Sequence, residues 1–218
     1  MISMELDPRS EYYSFFRAEL LPYLSPARGR VILDVGCGAG HLLAHLKSQG
    51  ARETIGLELR KEVADELRQS GRVDKVLCLD IETAELPLPE ASLDLVIVSH
   101  VLEHMIDPWL VLRKLRRHLR PGGQLVGAIP NVRFVRVIWE LVATGQWRYA
   151  DSGILDRTHL RFFTKRSMTD LLTACGYQID DIQPQIGSAK ARWLERLSFG
   201  AASEFLGYAY NFKCHKPS

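Results

Sequence analysis

The chain has 218 residues, 46% hydrophobic and 25% charged, a globular composition that excludes a disordered, collagenous or coiled-coil chain. Twenty-eight lysines and arginines stand against 26 acidic residues, and the net charge of +2 is too balanced to announce a nucleic-acid binder. Cys37, Cys78, Cys175 and Cys214 form no CxxC pair, and there is neither a leader-like N-terminus nor an apolar run of about 20 residues, so the expectation is a cytoplasmic protein with free thiols and no membrane span.

Residues 30–34 are a β-branched run ending in a glycine loop, and 41–49 follow with Leu42, Leu43 and Leu46 at helical spacing. Residues 54–59 form a second strand run, 61–69 a second helix and 75–80 a third strand run. Residues 93–99 are a fourth, and 108–119 read as a helix with Leu112, Leu115 and Leu119 on one face. Arg120-Pro121-Gly122-Gly123 is a strong turn before a fifth strand at 124–129. Near-continuous apolar strands alternating with helices indicate a parallel sheet covered on both faces.

The alternation stops at Asn131. Segment 131–166 is aromatic-rich and irregular, with a helix around 134–142, and reads as an insertion within a single domain spanning 1–218. Residues 167–175 read as a helix closed by Gly176. Segments 177–183 and 208–213 read as two late strands joined by the amphipathic stretch 189–197. Its Trp193, Leu194 and Leu197, with Phe199 beyond, are assigned to core packing; a self-associating face, hence a homodimer, or a membrane-surface face is the alternative.

Residues 31–40 read VILDVGCGAG. Gly36, Gly38 and Gly40 permit a tight turn and close approach of a ligand to the backbone, with helix N-terminal amides nearby. His41 occupies the position of the third glycine of the dinucleotide pattern GxGxxG, which argues against an NAD(P)-dependent oxidoreductase. Glu58, ending the second strand run, can accept both hydroxyls of a ribose in either kind of nucleoside site. Asp80-Ile81, ending the third, suits an adenine, which has a hydrogen-bonding edge and two apolar faces.

DVGCGAG at 34–40, Glu58, LDI at 79–81, LDLVIVSHVLEHMIDP at 93–108 and LRPGGQLVGAIPN at 119–131 resemble, in that order, the class I S-adenosylmethionine-dependent methyltransferases. The resemblance covers the chain from about residue 12 onward. GILDRTHLRFFT at 153–164 with DLLTACGY at 170–177 is further similar to a subgroup found with bacterial cell-surface glycan and secondary-metabolite pathways, and in part to methyltransferase-like proteins of methionine biosynthesis. The resemblance implies a Rossmann-like, doubly wound α/β fold: a seven-stranded sheet with an antiparallel last strand, here YAYNFK at 208–213, and the insertion after strand five. It implies S-adenosyl-L-methionine as cofactor and S-adenosyl-L-homocysteine as product. Asp34, Gly36, Gly38 and Gly40 would surround the methionine part, Glu58 would hold the ribose, Asp80 and Ile81 the adenine, and Ser99 and His100 would lie along the cofactor. An N-terminal helix carrying Tyr12, Tyr13 and Arg17 would close over it, with packing on the sheet as the other reading of the tyrosines.

Methyl transfer from a sulfonium is an in-line displacement, so the protein supplies mainly orientation and a dry pocket. A neutral oxygen or amine acceptor must also lose a proton, which calls for a base, and histidine suits that task near neutral pH. His159, in RTHLRFF at 157–163, is the first candidate, with a structural tie as its alternative role; His104 is the second. His100 and His104 stand at i, i+4 spacing, but HVLEH is not HExxH, so no metal site is expected. Asp107-Pro108 reads as the start of the next helix, and His41, His45 and His118 as surface or packing residues.

Between 131 and 166 seven cations (Arg133, Arg136, Arg148, Arg157, Arg161, Lys165 and Arg166) face three acids (Glu140, Asp151 and Asp156), a local excess of four. This points to a small-molecule acceptor with a phosphate or carboxylate, or one linked to a carrier, with Arg133, Arg148, Arg157 and Phe162 as acceptor contacts; a solvated basic face is the alternative. Arg113, Lys114, Arg116, Arg117 and Arg120 read as a solvated helix face. The favoured activity is O-methyl transfer to a sugar or metabolite hydroxyl, ahead of N or C transfer. A non-catalytic cofactor-binding regulatory subunit is a further alternative. A tRNA or DNA methyltransferase is disfavoured, since Ser99-His100-Val101-Leu102 stands where NPPY- or DPPY-like residues would.

Overall fold

The computed structural model describes residues 16–24, 26–198 and 202–218. Its strands are β1 (Val31–Val35), β2 (Glu53–Glu58), β3 (Lys75–Cys78), β4 (Leu93–Ser99), β5 (Leu119–Pro130), β6 (Gln178–Gln185) and β7 (Ala209–His215). Around them lie α1 (His41–Ser48), α2 (Lys61–Ser70), α3 (Pro108–His118), α4 (Val135–Thr144), α5 (Lys165–Ala174), α6 (Ala189–Leu197) and the short α7 (Ser203–Leu206). The strands make one sheet in the order β3-β2-β1-β4-β5-β7-β6. Pairing is parallel from β3 to β5, and β7 runs antiparallel to both β5 and β6.

Both faces of the central strands are buried, which is why their sequences are apolar without alternation. Leu33, Val35, Val96, Val98 and Leu125 share a core with Leu112 and Leu115 of α3 and Leu171 and Leu172 of α5. Ile32, Leu95, Ile97 and Val126 share the opposite core with Leu42, Leu43 and Leu46 of α1 and Leu67 of α2. Local signals set the helix ends. Asp107 Oδ1 accepts from Leu110 N at 2.9 Å, capping α3 one residue before Pro108. Gly71, left-handed at φ 64°, ends α2.

Three sequence expectations change. The turn expected before strand five lies inside β5. Leu119 still pairs with Leu93, pairing resumes at Gln124 opposite Leu95, and the four residues between bulge outward, with Gly122 N donating to the Lys216 carbonyl at 2.8 Å. Lys114 is not on a solvated face: it is buried, and its ammonium donates to the carbonyls of Ile81 (2.8 Å) and Ala84 (2.6 Å), holding the loop after β3 against α3. Segment 189–197 does not pack into the core. α6 has no buried residue, and Trp193, Leu194 and Leu197 are exposed, since an apolar face at helical spacing does not specify what it meets. Phe199 lies outside the described residues.

Segment 131–166 leaves the carboxyl end of β5 and is stitched back at both ends. Asn131 is fully buried and donates to the carbonyls of Glu204 and Gly207, each at 2.8 Å. Leu160 N and Arg161 N both donate to the Glu103 carbonyl, at 2.8 and 3.0 Å. The insertion therefore arches over the carboxyl ends of β4 and β5. All four cysteines are free thiols.

Candidate active site

β1 runs into the glycine loop at the carboxyl edge of the parallel strands, which is where ligands bind in open α/β sheets. Gly36, Gly38 and Gly40 have φ of 70°, 52° and 74°, a region that side chains other than glycine rarely adopt. A Cβ on Gly40 would also stand 2.6 Å from Leu67 Cδ1, and one on Gly36 2.9 Å from Val101 Cγ2. The loop is pinned to β2: Gly36 N and Cys37 N donate to the Leu57 carbonyl at 2.8 and 3.2 Å. Glu58 is buried, and its carboxylate accepts from Gly38 N (3.1 Å) and Arg60 N (3.0 Å). Those two bonds aim it across the loop, with acceptor capacity to spare for hydroxyls.

Asp34 is the second buried acid of the cradle. Burial pushes its carboxyl up to about 7; the positive charge of Arg17 opposes that shift and the negative charge of Glu58 adds to it. Burial together with both carboxylates also pushes the Cys37 thiol up, so it is inert as a nucleophile. Ser99 Oγ, at the end of β4, is buried and makes no hydrogen bond among the described residues. An acid short of compensating positive charge, a loop with glycine at three of its five positions and a hydroxyl with no partner among the described residues fit a cationic nucleoside such as S-adenosyl-L-methionine.

Asp80 sits one strand further, its Oδ1 accepting from Glu82 N at 2.9 Å. Ile81 does not offer the apolar wall expected of it: its side chain is 2% exposed and belongs to the core. Tyr12 and Tyr13 lie outside the described residues. Arg17 lines the cavity described next.

A cavity of about 310 Å³ opens beneath the insertion, beside Pro130 at the carboxyl end of β5. Its walls include Arg17, His100, Glu103, Asp156, His159 and Tyr208. His159 is buried, with Nδ1 3.0 Å from the Ile154 carbonyl. His104 lies against it, ring centroids 4.7 Å apart, with Nδ1 3.2 Å from the Thr158 carbonyl. Phe162 stacks edge-on with Trp147 (5.3 Å) and faces His159 at 6.4 Å. His100 and His104 are not on one helix face. His100 is left-handed at φ 54°, Leu102–His104 is a single 3-10 turn, and His100 Nδ1 turns back to Glu103 Oε1 at 3.2 Å. A larger groove of about 630 Å³ lies at the opposite edge, lined by Gln124 of β5 and His215 of β7, away from the glycine loop.

The candidate acceptor arginines are tied down. Arg133 pairs with Glu204 and its guanidinium lies 4.4 Å from the centre of the Phe205 ring. Arg148 pairs with Glu140 at 3.2 Å and Arg157 with Asp151 at 3.0 Å. None of the three lines the cavity. Sequence reasoning missed Glu103 and Asp156 as cavity residues. Glu103 carried a signal: an acid between Leu102 and Met105 in an apolar stretch has to be satisfied by something specific. Asp156 carried none.

Residues 9–182 match the methyltransferase-domain family, and the chain belongs to it. It is a class I S-adenosylmethionine-dependent methyltransferase by family and fold, and both imply S-adenosyl-L-methionine as cofactor. A protein of Mycolicibacterium smegmatis named as a probable S-adenosylmethionine-dependent methyltransferase is 32% identical over 173 residues, 78% of this chain and 62% of that one. The tRNA U34 carboxymethyltransferase of Haemophilus influenzae is 34% identical over 123 residues, 53% of this chain and 37% of that one. The chain thus spans less than two thirds of the length of these curated relatives. A SAM-dependent methyltransferase from Archaeoglobus fulgidus shares the fold, with a TM-score of 0.69 at 20% identity over 95% of this chain and 98% of that one.

Proposed function

We propose that this chain transfers the methyl group of S-adenosyl-L-methionine to a hydroxyl oxygen of a small-molecule acceptor bound under the insertion. The observation that carries the reading is the cavity, in which Arg17 and His100 from the cofactor side meet His159 from segment 131–166. S-adenosyl-L-methionine brings both the methyl group and its leaving group. The protein's task is then to orient the acceptor, exclude water and take one proton. Gly36, Gly38 and Gly40 admit the cofactor, Glu58 and Asp80 address its nucleoside, and Asp34 its charged end. His159 and His104 each present Nε2 as the free ring nitrogen, because Nδ1 faces a backbone carbonyl, and either lone pair suits the proton of an acceptor hydroxyl.

A hydroxyl acceptor needs a base, which His159 or His104 can supply; an amine would use the same base, so turnover of hydroxylated against aminated acceptors decides between the two. A sugar or metabolite hydroxyl fits a cavity of this size. The basic character of segment 131–166 supports an acceptor with a phosphate or carboxylate, held at the rim of the cavity, since Arg133, Arg148 and Arg157 stand outside it. The test is calorimetric titration with S-adenosyl-L-homocysteine, NADH as control, followed by turnover of hydroxylated acceptors by wild type and His159→Ala. Binding of the sulfur nucleoside with turnover lost in His159→Ala supports the reading. Preferential NADH binding would return the chain to the oxidoreductases, and binding without turnover of any acceptor would make it a cofactor-binding subunit. An acceptor KM indifferent to salt and to Arg148→Glu would remove the anionic acceptor.

A further inference from the structure

We propose that Glu103, His104 and His159 form a binding site for one divalent first-row transition ion, opening onto the cavity. One donor atom from each residue lies within 4.8 Å of the others. Both imidazoles are already set for ligation. Nδ1 of His104 lies 3.2 Å from the Thr158 carbonyl and Nδ1 of His159 lies 3.0 Å from the Ile154 carbonyl. A carbonyl oxygen only accepts, so Nδ1 carries the proton in each ring and Nε2 keeps its lone pair. Metal-bound histidines adopt this arrangement, with the nitrogen away from the ion donating to a carbonyl or carboxylate. Thr158 is itself fixed, since its N–H and its hydroxyl both donate to Asp156 Oδ1, at 2.8 and 2.7 Å.

Glu103 supplies the independent observation. Its side chain is 1% exposed, Oε1 faces His100 Nδ1 at 3.2 Å, and Oε2 is buried and makes no hydrogen bond among the described residues. A buried carboxylate oxygen without a partner is costly, and an ion shared with two imidazole lone pairs is the partner it lacks. Ligand atoms about 2.0–2.2 Å from one ion stand about 3–4.4 Å apart, so a small rotation of half-buried His104 closes the shell. Two imidazoles and one carboxylate with no thiol suit Mn²⁺, Fe²⁺, Co²⁺ or Zn²⁺ better than Ca²⁺ or Cu⁺. The HVLEH spacing gave no hint of this, because the second histidine comes from the insertion and not from His100. The chemical role rests on the reading of the cavity as the acceptor site: a hydroxyl in an open position on the ion is acidified and its proton passes to water, in place of transfer to His159.

The test is titration of the full chain with Co²⁺, followed by visible absorption, with Zn²⁺ as competitor. One Co²⁺ per chain is expected, displaced by Zn²⁺, with affinity at least tenfold lower in His104→Ala and in His159→Ala. Cys78→Ser, which removes the exposed thiol, retains wild-type uptake. Circular dichroism melts check that each variant is folded; if buried His159→Ala unfolds, half-buried His104→Ala carries the test. No stoichiometric uptake by wild type, or equal uptake by folded His104→Ala, overturns the site. S-adenosyl-L-homocysteine titration of the same samples reads the methyltransferase assignment separately. Cobalt binding without nucleoside binding sinks that assignment and leaves the ion site standing, and the reverse result sinks the ion site alone.

Discussion

Replacing Asp34 by Asn should stabilise the protein free of cofactor, by an amount that grows with pH. Asp34 is an acid whose folded pKa, about 7, lies above its ordinary 3.8. The folded state therefore holds a proton that the unfolded chain has released, and stability falls as pH rises between those two values. At about 1.36 kcal/mol per pH unit the full loss is roughly 4 kcal/mol, absent below 3.8 and complete above about 7. Asn carries no charge at any pH. The variant should then gain roughly 1.5 kcal/mol at pH 5 and up to about 4 kcal/mol at pH 8, a difference of about 2.5 kcal/mol between the two. Urea unfolding at both pH values measures it, as a shift in midpoint at unchanged m. A gain independent of pH, or a variant less stable than wild type at pH 8, would refute the account of Asp34 as a buried acid short of compensating charge. Such a stabilisation would be typical of a functional site, where groups are held for a ligand at the expense of the fold.

Four other outcomes are expected. A cationic ligand favours ionised Asp34, so S-adenosyl-L-methionine affinity should rise with pH up to about 7 and then level, and Asp34→Asn should flatten the profile; isothermal titration between pH 5.5 and 8.5 decides. Glu58→Ala removes the proposed ribose acceptor together with the bond to Gly38 N, and should weaken binding of the cofactor about 100-fold or more, against unchanged affinity if the carboxylate only braces the chain. Gly127→Ala would place a Cβ 2.6 Å from Phe212 Cζ and against the Val98 carbonyl, so the urea midpoint should fall by the equivalent of about 1–3 kcal/mol or more; no change would mean that β5 is not wedged between β4 and β7 as described. Trp193→Ser on the exposed face of α6 should move the melting free energy by less than about 0.5 kcal/mol, and a larger loss would mean that the indole is covered in solution.

Much of this protein follows from local rules. Strands β1 and β4 announced themselves as unbroken apolar runs because both their faces are covered. The glycine loop announced itself because only glycine tolerates three left-handed positions in five residues. Glu58 stood out because an acid closes the apolar run of β2 beside that loop. Side chains whose partners lie far along the chain were not readable. Lys114 looked solvated and is buried, because two carbonyls of the loop after β3 satisfy its ammonium. Ile81 looked like a ligand wall and is core. Trp193 looked like core and is exposed, because amphipathicity says that a helix has an apolar face and not what that face meets.

The sequence alone determined the order of strands and helices and, through the glycine loop at the carboxyl edge, the class of cofactor, since each depends on backbone geometry and neighbours a few positions away. Only the tertiary structure decided what surrounds His104 and His159. The insertion folds back onto the Glu103 carbonyl, and that contact brings a buried carboxylate and two oriented imidazoles to one point. Such a meeting depends on where a loop lands, which no local periodicity encodes.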